Sequence, residues 1–162
     1  MELTDPELAF VDEVGRHYQR HYAVPPMVGR VVGYLCICDP PDQTAAEIAD
    51  ALEASRSAVG TAVNMLETWG GVRRTRVRGE RADRVGFSPV ATQSLESPAE
   101  YGALAALARH GLDVLKDAPP ERRARLLELA AFAEFLLERL PALADEWRAR
   151  RQAMRETGEL PS

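Results

Sequence analysis

The sequence predicts a mainly α-helical protein carrying one small β hairpin, and three observations predict it. Two short helices with clear start signals follow one another across a tight turn at Glu53-Ala54. Directly after them, the β-branched run Val72–Val77 and the shorter Arg84–Phe87 flank a polar turn that contains Gly79. Beyond residue 97, long stretches rich in leucine, alanine and paired charges read as helix to the C-terminus.

Each element follows from local signals. Thr4-Asp5-Pro6-Glu7 places a capping side chain before a first-turn proline and an acid, opening a helix to about Tyr22 with Leu8, Val11, Val14 or Gly15, and Tyr18 at helical spacing. Val24-Pro25-Pro26 breaks it and starts a second helix, Met27 to about Cys38, apolar on nearly all sides and therefore central. After the loop Asp39-Pro40-Pro41-Asp42, the capping box Thr44-x-x-Glu47 opens a short third helix that buries Ile48, Ala49 and Leu52. Ser55 caps a fourth, which runs to Trp69 and stops at Gly70-Gly71. The hairpin of two strands follows. Ser97-Pro98-Ala99-Glu100 then starts a helix to about Asp117, and Pro119-Pro120-Glu121 starts another from Arg122 to Arg139. Pro141 is expected to interrupt that helix, with a last one from Ala142 to about Glu156.

Composition narrows the function. With 162 residues, 46% hydrophobic and 28% charged, the chain can bury a core and lies far from the disordered class. No apolar run approaches the roughly 20 residues of a membrane span, and Val31–Cys38 is too short. The acidic start Met1-Glu2-Leu3-Thr4-Asp5 lacks the order of a signal peptide, and two cysteines alone build no disulfide framework, so a reduced, cytoplasmic, soluble protein is expected. The net charge of −5 argues at first against nucleic acid, but it is unevenly spread. From Ala54 to Gly86 seven arginines face three acids, a local +4 that leaves −9 for the remainder. Screening acts over about 10 Å at ordinary salt, so a local patch outweighs the total.

Helix pair plus basic hairpin is the outline of a winged helix-turn-helix, with a three-helix core and a two-stranded wing over residues 24–90. On the fourth helix Val59, Ala62, Val63, Leu66 and Trp69 fall on one side and form the packed face. Ser57, Gly60, Thr61, Asn64 and Thr68 fall opposite, a short polar face almost without charge, suited to base edges and phosphates. Arg56 stands at the helix start, where backbone N–H groups also favour an anion. The DNA-binding set is therefore Thr44, Ser55, Arg56, Ser57, Gly60, Thr61 and Asn64 from the helices, with Arg76, Arg78, Gly79, Arg81 and Arg84 from the wing. Glu80 and Asp83 hold some of these arginines by ion pairing, and the sequence leaves open which stay free.

The run Thr44 to Val59, the exit Leu66-Glu67-Thr68-Trp69-Gly70-Gly71 and the wing residues Gly79-Glu80-Arg81 together resemble the MarR superfamily, its GbsR-like branch most closely. That resemblance implies a homodimeric transcriptional regulator, of repressor type, on an inverted-repeat DNA operator, with a small-molecule effector pocket in some members. The aromatic residues Tyr18, Tyr22, Tyr34 and Trp69 are the candidates for such a pocket.

The remaining features read as structural. Cys36 and Cys38 point about 200° apart on a helix, which disfavours an internal disulfide, and are expected in the core. His17 and His21 have chelating spacing, but no third ligand completes a metal site, and they read as an aromatic cluster with Tyr18 and Tyr22. No catalytic constellation stands out, and no cofactor is implied. The C-terminal region, 97–157, is too widely apolar for one stripe, which points to burial against both its own domain and a second copy, the latter through Leu126, Leu129, Phe132, Phe135, Leu136, Leu140 and Leu143; a larger intrachain helical core is the alternative. The N-terminal helix, 1–23, joins that interface through Leu8 and Val11. The competing reading is a winged-helix adaptor that contacts another protein without responding to a ligand.

Overall fold

The structure, a computed structural model, describes residues 3–88 and 98–160. Its contacts divide the chain into two compact units, Met1–Val90 and Ala91–Ser162.

In the first unit, α1 (Asp5–Tyr22) starts where the Glu7 carboxylate accepts hydrogen bonds from the Thr4 backbone N–H at 2.8 Å and its hydroxyl at 2.7 Å. It packs along α2 (Pro26–Ile37) with the two backbones nearly in contact. A Cβ at Gly29 would stand 2.5 Å from the Val14 carbonyl oxygen and 2.8 Å from the Gly15 Cα, and one at Gly33 would stand 3.1 Å from the Val11 Cα. Only glycine permits that approach. Val11, Val31 and Tyr34 are fully buried at this seam, and Arg30 bridges it to Asp12 at 2.9 Å. Val11 therefore belongs to the chain's own core and cannot also be a dimer contact, while Leu8 remains exposed. α2 is central as expected, but its end divides the cysteines: Cys38 is buried and Cys36 exposed, so only one of them is a core residue.

Next come β1 (Asp42–Thr44), α3 (Ala45–Ala51), α4 (Arg56–Thr68), β2 (Val72–Thr75) and β3 (Arg84–Phe87). The sheet has three antiparallel strands in the order β1-β3-β2, where the sequence predicts a two-stranded wing. Asp42 faces Gly86, Thr44 faces Arg84, and Val72 faces Phe87. The third strand escapes prediction because Asp42-Gln43-Thr44 is three residues long with one β-branched member. β2 also ends at Thr75, short of the expected Val77, which is exposed. Thr44 closes β1 and caps α3: its hydroxyl accepts from the Glu47 N–H at 3.2 Å, and the Glu47 carboxylate accepts from the Thr44 N–H at 2.7 Å. Such a box contributes about 1 kcal/mol. Glu53, at a left-handed φ of 49°, makes the turn into α4. Ile48, Leu52, Val59, Val63, Leu66 and Val85 close one core with α2.

The second unit is a helical hairpin. α5 (Ala99–Val114) and α6 (Pro120–Glu156) pack through small side chains, Ala105 and Ala108 on one and Ala130 and Ala133 on the other. The Ser97 cap predicted for α5 lies outside the described residues. α6 is a single helix of 37 residues with Pro141 inside it, not two helices. An interior proline costs about 3 kcal/mol and removes one helical donor. Burial of Leu140 and Ala144 on either side, in a stretch of strong helix formers, offsets that cost. No helix among the described residues is long and apolar enough to cross a membrane.

Candidate nucleic-acid interface

The Ser55 hydroxyl accepts from the Ala58 N–H at 3.1 Å and fixes the start of α4. Inward, Val59, Ala62, Val63 and Leu66 are buried; outward, Arg56, Ser57, Thr61, Asn64 and Thr68 are exposed. Trp69, expected on the packed face, is instead 42% exposed at the end of α4, although its N–H still donates to the Met65 carbonyl at 3.1 Å. Gly60 sits mid-helix on the outward side, and a Cβ there would meet nothing within 4 Å. No packing among the described residues explains a glycine at that position, which costs a helix about 0.5–1 kcal/mol relative to alanine.

The arginines separate into two groups. Arg73 donates to Asp42 at 3.2 Å, Arg74 to Glu67 at 2.8 Å and to Asn64 Oδ1, and Arg76 to Asp83 at 2.7 Å. Arg84 is held most completely: it donates to Glu80 at 2.9 Å and to the Asp42 carbonyl at 3.1 Å, with Glu47 3.8 Å away. The Glu80 hydrogen bond raises its pKa further. Arg84, predicted as a wing-tip cation, is thus a strut between β3, β1 and α3, and Arg76 is neutralised by Asp83. By contrast Arg56, Arg78 and Arg81 are exposed and have no hydrogen bond or ion pair among the described residues. Arg78 and Arg81 flank Gly79, whose φ of +92° makes the wing-tip turn, and the Glu80 N–H donates to the Val77 carbonyl at 3.1 Å.

Thr44 lies at the start of α3, its hydroxyl oxygen engaged by the cap. The Thr44 N–H holds the Glu47 carboxyl below the usual carboxylate range, with Arg84 adding to the effect. Arg74 is the participant that sequence reasoning left out of the site. Strand alternation could have found it, since Arg74 follows buried Val72 by two and shares its side of β2, toward α4.

Three of the four proposed pocket aromatics come together. Tyr18, Tyr22 and Trp69, with Leu66, line a cavity of about 290 Å³, and the Tyr18 and Tyr22 ring centroids are 5.0 Å apart. Burial pushes the Tyr18 hydroxyl's pKa up. Tyr34 is not among them: it is fully buried in the core and donates to Gln43 Oε1 at 3.3 Å. His17 stacks near His21 at 4.4 Å, and among the described residues no group of three or more His, Cys, Asp or Glu side chains could hold a metal. Desolvation by burial raises the pKa of both cysteine thiols.

Of the predicted interface residues, Leu129, Phe132, Phe135 and Leu143 are exposed on α6, Phe132 at 55%. Leu140 is buried, Leu136 is half-buried, and Leu126 packs onto α5 at Gly111, so these residues lie wholly or partly within the unit rather than on its open face.

Comparison with known proteins agrees with this architecture. A family model for MmpR5-like MarR family transcriptional regulators matches residues 90–150. The HTH-type transcriptional regulator MmpR5 of Mycobacterium tuberculosis is 34% identical over 124 residues, 75% of this chain and 74% of that protein. A crystal structure of a transcriptional regulator aligns with a TM-score of 0.77 at 28% identity, over 89% of this chain and 99% of that one. With its helix pair, wing and helical hairpin in that order, the chain belongs to the MarR family of transcriptional regulators, of the MmpR5-like kind.

Proposed function

We propose that this regulator is a sequence-specific repressor that acts as a homodimer on an inverted-repeat operator. The observation that carries this reading is the pattern of free charge: Arg56 at the start of α4 and Arg78 and Arg81 at the wing tip carry no partner among the described residues, and between them lies an uncharged polar helix face. Ser57, Thr61 and Asn64 read the major groove, Gly60 lets the helix approach closely, and the arginines hold phosphates or the minor groove. Thr44 and Ser55 act at the two helix starts. The exposed stripe Leu129, Phe132, Phe135 and Leu143 forms the dimer surface of the second unit, and Leu8 of α1 is a separate contact to the second copy. Two-fold symmetry then sets the recognition helices about 34 Å apart, one turn of duplex. A small apolar or aromatic effector enters the Tyr18–Tyr22–Trp69 cavity and releases the DNA. The Leu66–Trp69–Gly70 exit and the Gly79–Arg81 wing support a kinship with the GbsR-like branch.

Anisotropy titration of the chain's own upstream DNA at several salt concentrations, alongside sedimentation of the free chain, tests this. Sequence-selective binding by a dimer is the expected result. A monomer that ignores duplex but retains a protein partner would favour the adaptor instead.

A further inference from the structure

We infer that Asn64 reads base edges through its N–H donors, because Arg74 turns its carbonyl oxygen toward β2, so the base it selects is guanine or thymine in preference to adenine. This rests on the DNA-reading role of α4 proposed above.

Arg74 reaches from β2 to α4, where its Nε donates to Glu67 Oε2 at 2.8 Å and its Nη2 to Asn64 Oδ1. A guanidinium carries donors alone, so the amide atom turned toward it has to be the oxygen; the orientation of Asn64 is set by chemistry. Glu67 fixes the guanidinium in turn, and the three side chains form one latch between wing and helix. A free asparagine selects adenine by accepting from N6 and donating to N7 at once, which needs the oxygen and nitrogen of the amide on the same purine edge. An amide whose oxygen is turned toward β2 cannot offer both. What remains for the groove is Nδ2, two N–H donors, and these match the acceptors guanine O6 and N7 or thymine O4, while adenine offers them N7 alone beside an N6 amine that repels the second donor. Arg74 is in this sense a positioning residue: it acts on sequence choice through Asn64, and its own charge is largely met by Glu67.

Selection from randomised duplexes with the full chain, Asn64→Ala and Arg74→Ala tests the latch. Asn64→Ala should flatten one position per half-site that the wild type fills with guanine or thymine, and Arg74→Ala should turn that position toward adenine by roughly tenfold. Adenine there in the wild type overturns the inference, as does a preference that Arg74→Ala leaves unchanged, or an Asn64→Ala that flattens nothing. Should Arg74→Ala fail to fold by circular dichroism, the wild-type base at the position marked by Asn64→Ala decides alone. If the wild type selects no sequence at all, the DNA-reading proposal itself has failed.

Discussion

Replacing Gly60 by alanine separates folding from binding at a single atom. The added Cβ meets nothing within 4 Å, so the folded chain accommodates it without repacking. A helix interior gains about 0.5–1 kcal/mol from glycine to alanine, which for a protein of this size raises the melting temperature by roughly 1–4 °C. On the duplex the same methyl stands where the helix comes closest. Forcing one extra methyl into a packed contact costs about 1–3 kcal/mol, a loss of roughly 5- to 150-fold in affinity. Thermal melting followed by circular dichroism reads the first effect, and anisotropy with an operator duplex reads the second. The expected variant is more stable and binds worse. A melting temperature that falls shows that residue 60 is not open. Affinity within twofold of the parent shows that DNA does not approach α4 at this position.

Other substitutions sort the remaining residues. Arg81→Ala should lower the slope of log K against log salt by about one unit and leave the melt unchanged, as for any lost phosphate contact. Arg84→Ala should do the reverse, lowering the melting temperature through the broken links to Glu80 and Asp42 while sparing the salt slope. Phe132→Asp should shift a sedimenting dimer to monomer; an unmoved boundary rejects the α6 stripe as the interface. Glu47 has a lowered folded pKa, so its contribution is present above the ordinary carboxylate value of about 4.3 and is lost as pH falls through the folded value. The melting difference between parent and Glu47→Gln should therefore shrink toward zero in acid, and a difference that persists there removes the carboxylate as its cause.

What could be read from residues alone was whatever has a local cause. Caps at Thr4, Thr44 and Ser55, prolines at helix starts and the glycine wing turn each act within a few residues, and those elements start within two residues of where they were expected. The outward set Ser57, Thr61 and Asn64 followed from helical period alone. Features decided by distant partners were not legible. β1 exists because β3 supplies its hydrogen bonds, since three residues carry too little propensity to signal a strand. Val11 and Tyr34 look like interface and pocket residues until the glycine-lined approach of α2 encloses them. Which arginines stay free depended on Asp42 and Glu47, distant in sequence from the wing. Pro141 sits inside one helix because its neighbours are buried, a tertiary reason that overrides a local breaker.

The seam at Gly15, Gly29 and Gly33 has a mechanical result. Two helices separated by side chains can creep past each other as rotamers rearrange, but main chain laid on main chain offers no such bearing. Sliding α1 by one turn along α2 would bring bulky residues where only hydrogen atoms fit. A bulky side chain in place of Gly29 would therefore prise α1 away from α2 rather than find room between them.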